Sequence, residues 1–200
     1  DDYGKWGKRM TRRTRVAAVG GIALGVVAVW AVPATASSHH HTWQVKPGTG
    51  TISAAVAKAR PGDRLDLAAG TFYDSVAIQM TLTIRGEGPS TVIKPPPAPH
   101  SPCDFGPSVE GLCVVGQVDS QGNPVPTNPV RDVQISGLRT TGFSDSGVFG
   151  LNTAGLSVTD VRSDHNGGYG IARVASTGPV FAANTASFNR GGGPYVGDPP

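Results

Sequence analysis

The sequence is poor in charge, in aromatic rings and in sulfur. Of its 200 residues only 16% are Asp, Glu, Lys or Arg and 6% are aromatic, with two cysteines and two methionines. The formal net charge of +3 is gathered at one end, where Lys5, Lys8, Arg9, Arg12, Arg13 and Arg15 face only Asp1 and Asp2. The remainder, 37–200, is close to neutral, so it offers no basic field to a phosphate backbone and excludes nucleic acid as a partner. Long hydrophobic runs are missing after residue 36. Short apolar runs follow one another with no helix between them, which disfavours a doubly wound α/β sheet. Sulfur is too scarce for a zinc module: Cys103 and Cys113 enclose "DFGPSVEGL", which has no histidine, and in an exported chain they are read as a disulfide.

What the chain does have at its start is an export pattern. A basic stretch leads into the apolar Val16 to Val32, and "PATASS" follows with a small-x-small cleavage site. Residues 1–36 are read as a signal peptide region cut after Ala36, with Met10 a natural initiator and 1–9 upstream of the true start. The mature chain is then secreted or cell-surface, without a membrane partner once cleaved. Residues 37–44 are expected to be a flexible mature N-terminus, and His39, His40 and His41 on it are assigned no metal.

From 51 the periodicity changes twice. In "TISAAVAKARPG", Ile52, Ala55, Val56 and Ala59 share one helical face, Thr51 is placed to cap it, and Pro61-Gly62 ends it. Period-two runs then follow, with Leu65/Leu67, Val76/Ile78 and Leu82/Ile84 pointing one way. From Val130 the chain superposes on itself at a shift of 23 residues. Val133 maps to Leu156 and Pro179, Ile135 to Val158 and Phe181, Leu138 to Val161, and Val148 to Ile171. Gly147, Gly170 and Gly193 fall in one column, Asn166 and Asn189 in another. A short self-similar unit of strands and turns predicts an all-β solenoid whose coils bury their inward residues only by stacking. At the asparagine corners the prediction is a left-handed turn residue and amides that satisfy one another from coil to coil.

The stretch "SDHNGGYGIA" (Ser163 to Ala172) contains Asn166 and Gly170, which the turn explains, and Asp164 and His165, which it does not. Those two read either as a polar corner exposed to water or as a general acid/base pair.

The segment "TISAAVAKARPGDRLDLAAGTFYDSVAI", with "LTIRGEGPSTVI" as its second coil, resembles secreted bacterial right-handed parallel β-helix repeat proteins of the pectin-lyase-like superfamily. The likeness covers about 45–196. It implies a right-handed parallel β-helix over 45–200, capped by the 51–60 helix, with a loop insertion at 95–111. It also implies polysaccharide as partner, at a lateral groove, with lyase-, epimerase- or hydrolase-like chemistry. Calcium as a cofactor follows from the resemblance alone. The Asn-x-Asp, Asp-Asp and Gly-His-Gly motifs of polygalacturonases are absent, and the epimerase signature is matched only loosely by Asp164-His165 before Tyr169-Gly170. Arg139 and Arg162 share a column without an evident acidic cluster, and serve either substrate binding or a solvated face. Tyr169 and Tyr195 suit sugar stacking and strand surfaces alike. Because the sequence stops within a repeat, further coils toward the C-terminus are expected. The competing reading is a non-catalytic scaffold or cell-surface interaction module.

Overall fold

The computed structural model describes residues 40–103 and 106–197. Residues 1–36, read in the sequence as a signal region with its cleavage site, and His39 lie outside them. The described chain is a parallel β-solenoid, nearly all β with one short helix.

Its coils follow in order. The first has β1 (Thr42–Val45) and α1 (Thr51–Val56); the second β2 (Arg64–Leu67), β3 (Gly70–Tyr73) and β4 (Val76–Ile78). The third has β5 (Thr83–Gly86), β6 (Thr91–Lys94) and β7 (Leu112–Val115); the fourth β8 (Val130–Arg131), β9 (Gln134–Thr141) and β10 (Val148–Leu151). Then come β11 (Thr153–Ala154), β12 (Ser157–Asp164) and β13 (Tyr169–Val174), and finally β14 (Val180–Ala182), β15 (Thr185–Ser187) and β16 (Gly192–Val196). The first sheet runs β1-β2-β5-β9-β12-β14 and the second β4-β7-β10-β13-β16, with every neighbour parallel.

The register is the 23-residue shift read in the sequence. Ile135 pairs with Val158 and Val158 with Phe181, Leu138 with Val161, and Val148 with Ile171. The inward residues form one cluster that includes Leu65, Leu67, Phe72, Ile78, Ile84, Ile93, Leu112, Ile135 and Val158, each at most 1% exposed. Such side chains contribute about 1.5–3 kcal/mol each relative to exposure, and no coil buries its own without a neighbour.

Two details at the N-terminal end differ from expectation. Thr42 to Gln44, placed in a flexible terminus, are strand together with Val45. They pair with Arg64 to Leu67, and Asp63 holds them by accepting from the His41 amide (2.7 Å) and from Trp43 Nε1 (3.0 Å). The helix is also shorter than 51–60, and Thr51 does not cap it. Gly50 occupies the cap position at φ 67°, and the Asp74 carboxylate of the next coil accepts from the Ile52 and Ser53 amides at 2.8 and 3.0 Å. An orphan helix end is thus satisfied from a distance. Ile52, Ala55 and Val56 enter the core, and α1 packs against β1 and β4, where a strand of the second sheet would otherwise stand.

Corners repeat as strictly as strands. Positive φ recurs at Asp132 and Gly155 and Gly178, at Gly137 and Asp160 and Ala183, and at Gly142 and His165 and Phe188. Each set is spaced by 23, so the left-handed residue is demanded by the coil and imposed on whatever side chain stands there. The asparagine corner therefore differs from expectation in detail: the left-handed residue precedes Asn166 and Asn189.

The asparagines themselves do stack. Asn166 Nδ2 donates to Asn189 Oδ1 (2.9 Å) and to Ser163 Oγ (3.1 Å), and Phe143 N donates to Asn166 Oδ1 (3.1 Å). Thr140 Oγ1 donates to Ser163 Oγ (2.8 Å), which donates to the Gly170 carbonyl (2.7 Å). This buried polar ladder explains the glycine column through space, not dihedral angle. A Cβ at Gly170 would meet Ala186 Cβ and Asn189 Nδ2 at 2.7 Å, and Gly170 itself is not left-handed.

Asn166→Ala leaves the Phe143 amide unpartnered and weakens the Asn189 contact, and should destabilise by about 1–3 kcal/mol. Gly170→Val should cost about 1–3 kcal/mol through crowding. Urea denaturation measures both, and a neutral Gly170→Val would show that the ladder yields to a side chain.

Candidate functional site

Four of the residues singled out in the sequence come together on the outward face where β9 and β12 end. Arg139 and Arg162 are register partners in adjacent coils, as are Thr141 and Asp164. Arg162 and Asp164, two apart on one strand, point the same way. The result is a clamp. Arg139 donates to Asp164 Oδ1 from Nη2 at 2.7 Å and to Oδ2 from Nε at 3.1 Å, while Arg162 Nε donates to Oδ2 at 2.5 Å.

Asp164 is therefore not an exposed corner: its side chain is 0% exposed beneath arginines that are 30% and 47% exposed. Burial pushes its carboxyl up, but hydrogen bonds from Arg139, Arg162, Thr141 and His165 outweigh it and hold the pKa well below the ordinary carboxylate range. A carboxylate so held is a weak base and takes up no proton near neutral pH. Its oxygens are committed to guanidinium groups, so it does not fit the calcium that the family resemblance implies. Among the described residues, no three His, Cys, Asp or Glu side chains converge as a metal site.

His165 touches the clamp at its edge, with Nδ1 3.3 Å from Asp164 Oδ1. With the proton on Nδ1, Asp164 orients the ring and leaves Nε2 as the basic atom, the one proton-transfer arrangement the cluster supports. The ring also stacks on Phe188, with centroids 5.0 Å apart. Its φ of 56° belongs to the corner column shared with Gly142 and Phe188, so the strain is architectural and says nothing about chemistry.

Tyr169 and Tyr195 form a separate stack on the second sheet, centroids 4.6 Å apart and 19° from parallel. Tyr169 pairs with Gly192 and Tyr195 with Ala172, and these small partners leave room for the rings to lean together. Each ring spends one face on the other.

A large concavity lies elsewhere. Two loops leave the third coil on either side of β7. The first, 95–111, is the insertion expected from its prolines; Cys103 and Cys113 close its far part as a disulfide with Cα atoms 6.1 Å apart. Behind that bond Glu110 is buried, and desolvation together with Asp145 raises its pKa against hydrogen bonds from its own backbone and from Ser101.

The second loop, 116–129, was not anticipated. Asp119 accepts from the Gln121 and Asn123 amides to make its turn, and Val118 bridges Pro124. Its base is held by Asn152, whose Nδ2 donates to the Gln117 and Val125 carbonyls at 2.9 and 2.8 Å. The dense turn formers in "DSQGNPVPTNP" were the available signal.

Between these loops, α1 and β4 lies a groove of about 800 Å³. Ser53, Ser75, Gln79, His100, Ser101 and Gln117 supply its polar groups, over an apolar floor of Val56, Val76 and Val115. A side pocket of about 330 Å³ past Gln79 and Gln117 extends it toward Asn128 and Val130.

No protein-family model matches the chain, and a search of curated proteins finds no match.

The clamp makes a pH prediction. The folded pKa of Asp164 lies below the unfolded value of about 3.9, so its stabilisation is complete above that range and is lost as pH falls through the folded value. Asp63, held at about 2 by hydrogen bonds from Trp43 and the Arg60 and His41 amides, loses its contribution over an overlapping acid range. Asp164→Asn should cost about 1–2 kcal/mol at neutral pH, the low end for charged hydrogen bonds because both arginines keep contact with water. It should also flatten, without abolishing, the fall in urea midpoint toward about pH 3. A variant with an unchanged acid slope would remove Asp164 from the account.

Proposed function

We propose that the chain is an exported β-helix protein that binds polysaccharide in the groove between its two inserted loops. One observation carries this reading. The loops interrupt the coil on either side of one strand, each is anchored by a specific device, and together they wall a concavity of about 800 Å³. Loops fixed on a rigid scaffold are where binding residues concentrate. The export pattern of residues 1–36 and the resemblance to right-handed, pectin-lyase-like β-helix proteins support the same reading.

Processing of polysaccharide, at a second face that does not line the groove, is the smaller part of the proposal. It rests on His165, with Asp164 as orienting partner and Arg139 and Arg162 holding that carboxylate. Tyr169 and Tyr195 offer the outer faces of their stack to a sugar ring.

A non-catalytic scaffold is favoured by one fact: Arg139, Arg162 and Asp164 satisfy one another, as a structural cluster would. Retention of the full chain on a panel of insoluble polysaccharides, with assays for new reducing ends and unsaturated uronates, separates the readings. Retention on at least one polymer is the expected result, and no retention on any leaves the scaffold. If turnover accompanies binding, His165→Ala should lower it by at least about tenfold, within the range general acid–base groups contribute.

A further inference from the structure

The groove and the clamp differ in one respect that bears on what is bound. Among the described residues lining the groove there is no Asp, Glu, Lys or Arg. Its side-chain polar groups are the hydroxyls of Ser53, Ser75 and Ser101, the amides of Gln79 and Gln117, and the ring of His100. Several are already engaged. Ser53 Oγ donates to Asp74, Ser75 Oγ to the His100 carbonyl, and Gln117 Oε1 accepts from Asn128 Nδ2. The uncommitted polar groups project from exposed residues: the Gln79 amide, Gln117 Nε2 and the His100 ring.

We infer that the groove takes an uncharged glycan, a chain of neutral pyranoses, and discriminates against uronate polymers. This rests on the polysaccharide reading above and narrows it. A uronate carries one carboxylate per residue, and binding it in a walled groove strips water from each. That cost is recovered only where a cation or several aligned N–H donors meet the charge. The groove has no such cation. The Arg139 and Arg162 guanidiniums, which would suit a carboxylate, are bound to Asp164 on the first sheet and do not line the groove.

A neutral pyranose makes the opposite demand. Its hydroxyls need donors and acceptors of matching neutral character, and an amide side chain offers both from one plane. Its C–H face needs an apolar surface, and Ala57, Ala77, Pro102 and Val118 supply one over the buried valines beneath. The side pocket beyond Gln79 and Gln117 places both amides at a junction, where a side branch of the glycan can turn away from the main chain.

Native gel retardation of the full chain tests this, with galactomannan and dextran as neutral polymers and polygalacturonate and alginate as acidic ones, at low and high salt. The expected result is retardation by a neutral polymer that high salt leaves unchanged. Gln79→Ala and Gln117→Ala should each weaken it about three- to tenfold, the loss of one hydrogen bond. Gln79 has no hydrogen bond within the protein to lose, so its variant separates binding from folding; circular dichroism melts verify both. Retardation only by the acidic polymers, abolished by salt, would overturn the neutral assignment while sustaining polysaccharide binding. Neutral binding indifferent to both substitutions would overturn the groove as its site. Failure of all four polymers would take the polysaccharide reading down together with this inference.

Discussion

Parallel stacking at a fixed register is the constraint on which everything else in this molecule depends. Once Ile135 must lie under Val158 and Val158 under Phe181, each coil has to return the chain to the same point with the same direction. Corners then cease to be free. The backbone turns left-handed at columns spaced by 23, and Phe188, a poor choice for that conformation, accepts it because Gly142 and His165 do so in the same place. The cost at one residue is set against the core burial of a whole coil.

The same constraint decides where polar groups are tolerated inside. Ser163 and Asn166 are buried, yet each meets its counterpart above or below, since whatever one coil offers, the next receives at the same height. The outward face follows the rule too. Arg139 and Arg162 stand one over the other with like charge, and Asp164 beside them resolves the repulsion by binding both. Chemistry on the regular faces is therefore largely consumed by the lattice of coils. The inserted loops escape it.

Much of this was legible in the sequence, for definite reasons. Strand positions showed because inward residues alternate, and the coil length showed because Leu138 and Val161, or Val148 and Ile171, stand 23 apart. The left-handed corners were half visible: Gly142 aligned with His165 marked the column, but Asn166 is the more familiar turn residue and drew the assignment one place too far. The pairing of Asp164 with Arg162 was within reach, since residues two apart on a strand share a face. Its burial was not, because that arises from Arg139 a coil away. Asp74 capping α1 across 22 residues, and the groove itself, belong to the loops' path in space, which no periodicity encodes.

Asn152 adds a directional side to this architecture. It holds the base of the 116–129 loop, but it belongs to the segment after β10 and adopts its own left-handed turn there. Until β10 has docked on β7 and the chain has turned toward β11, nothing delivers that amide to the Gln117 and Val125 carbonyls. The wall on this side of the groove is thus secured by a residue that follows the loop in the chain. The other wall closes within its own span, through Cys103 and Cys113. One wall of the groove is therefore closed within its own span, and the other depends on the following coil.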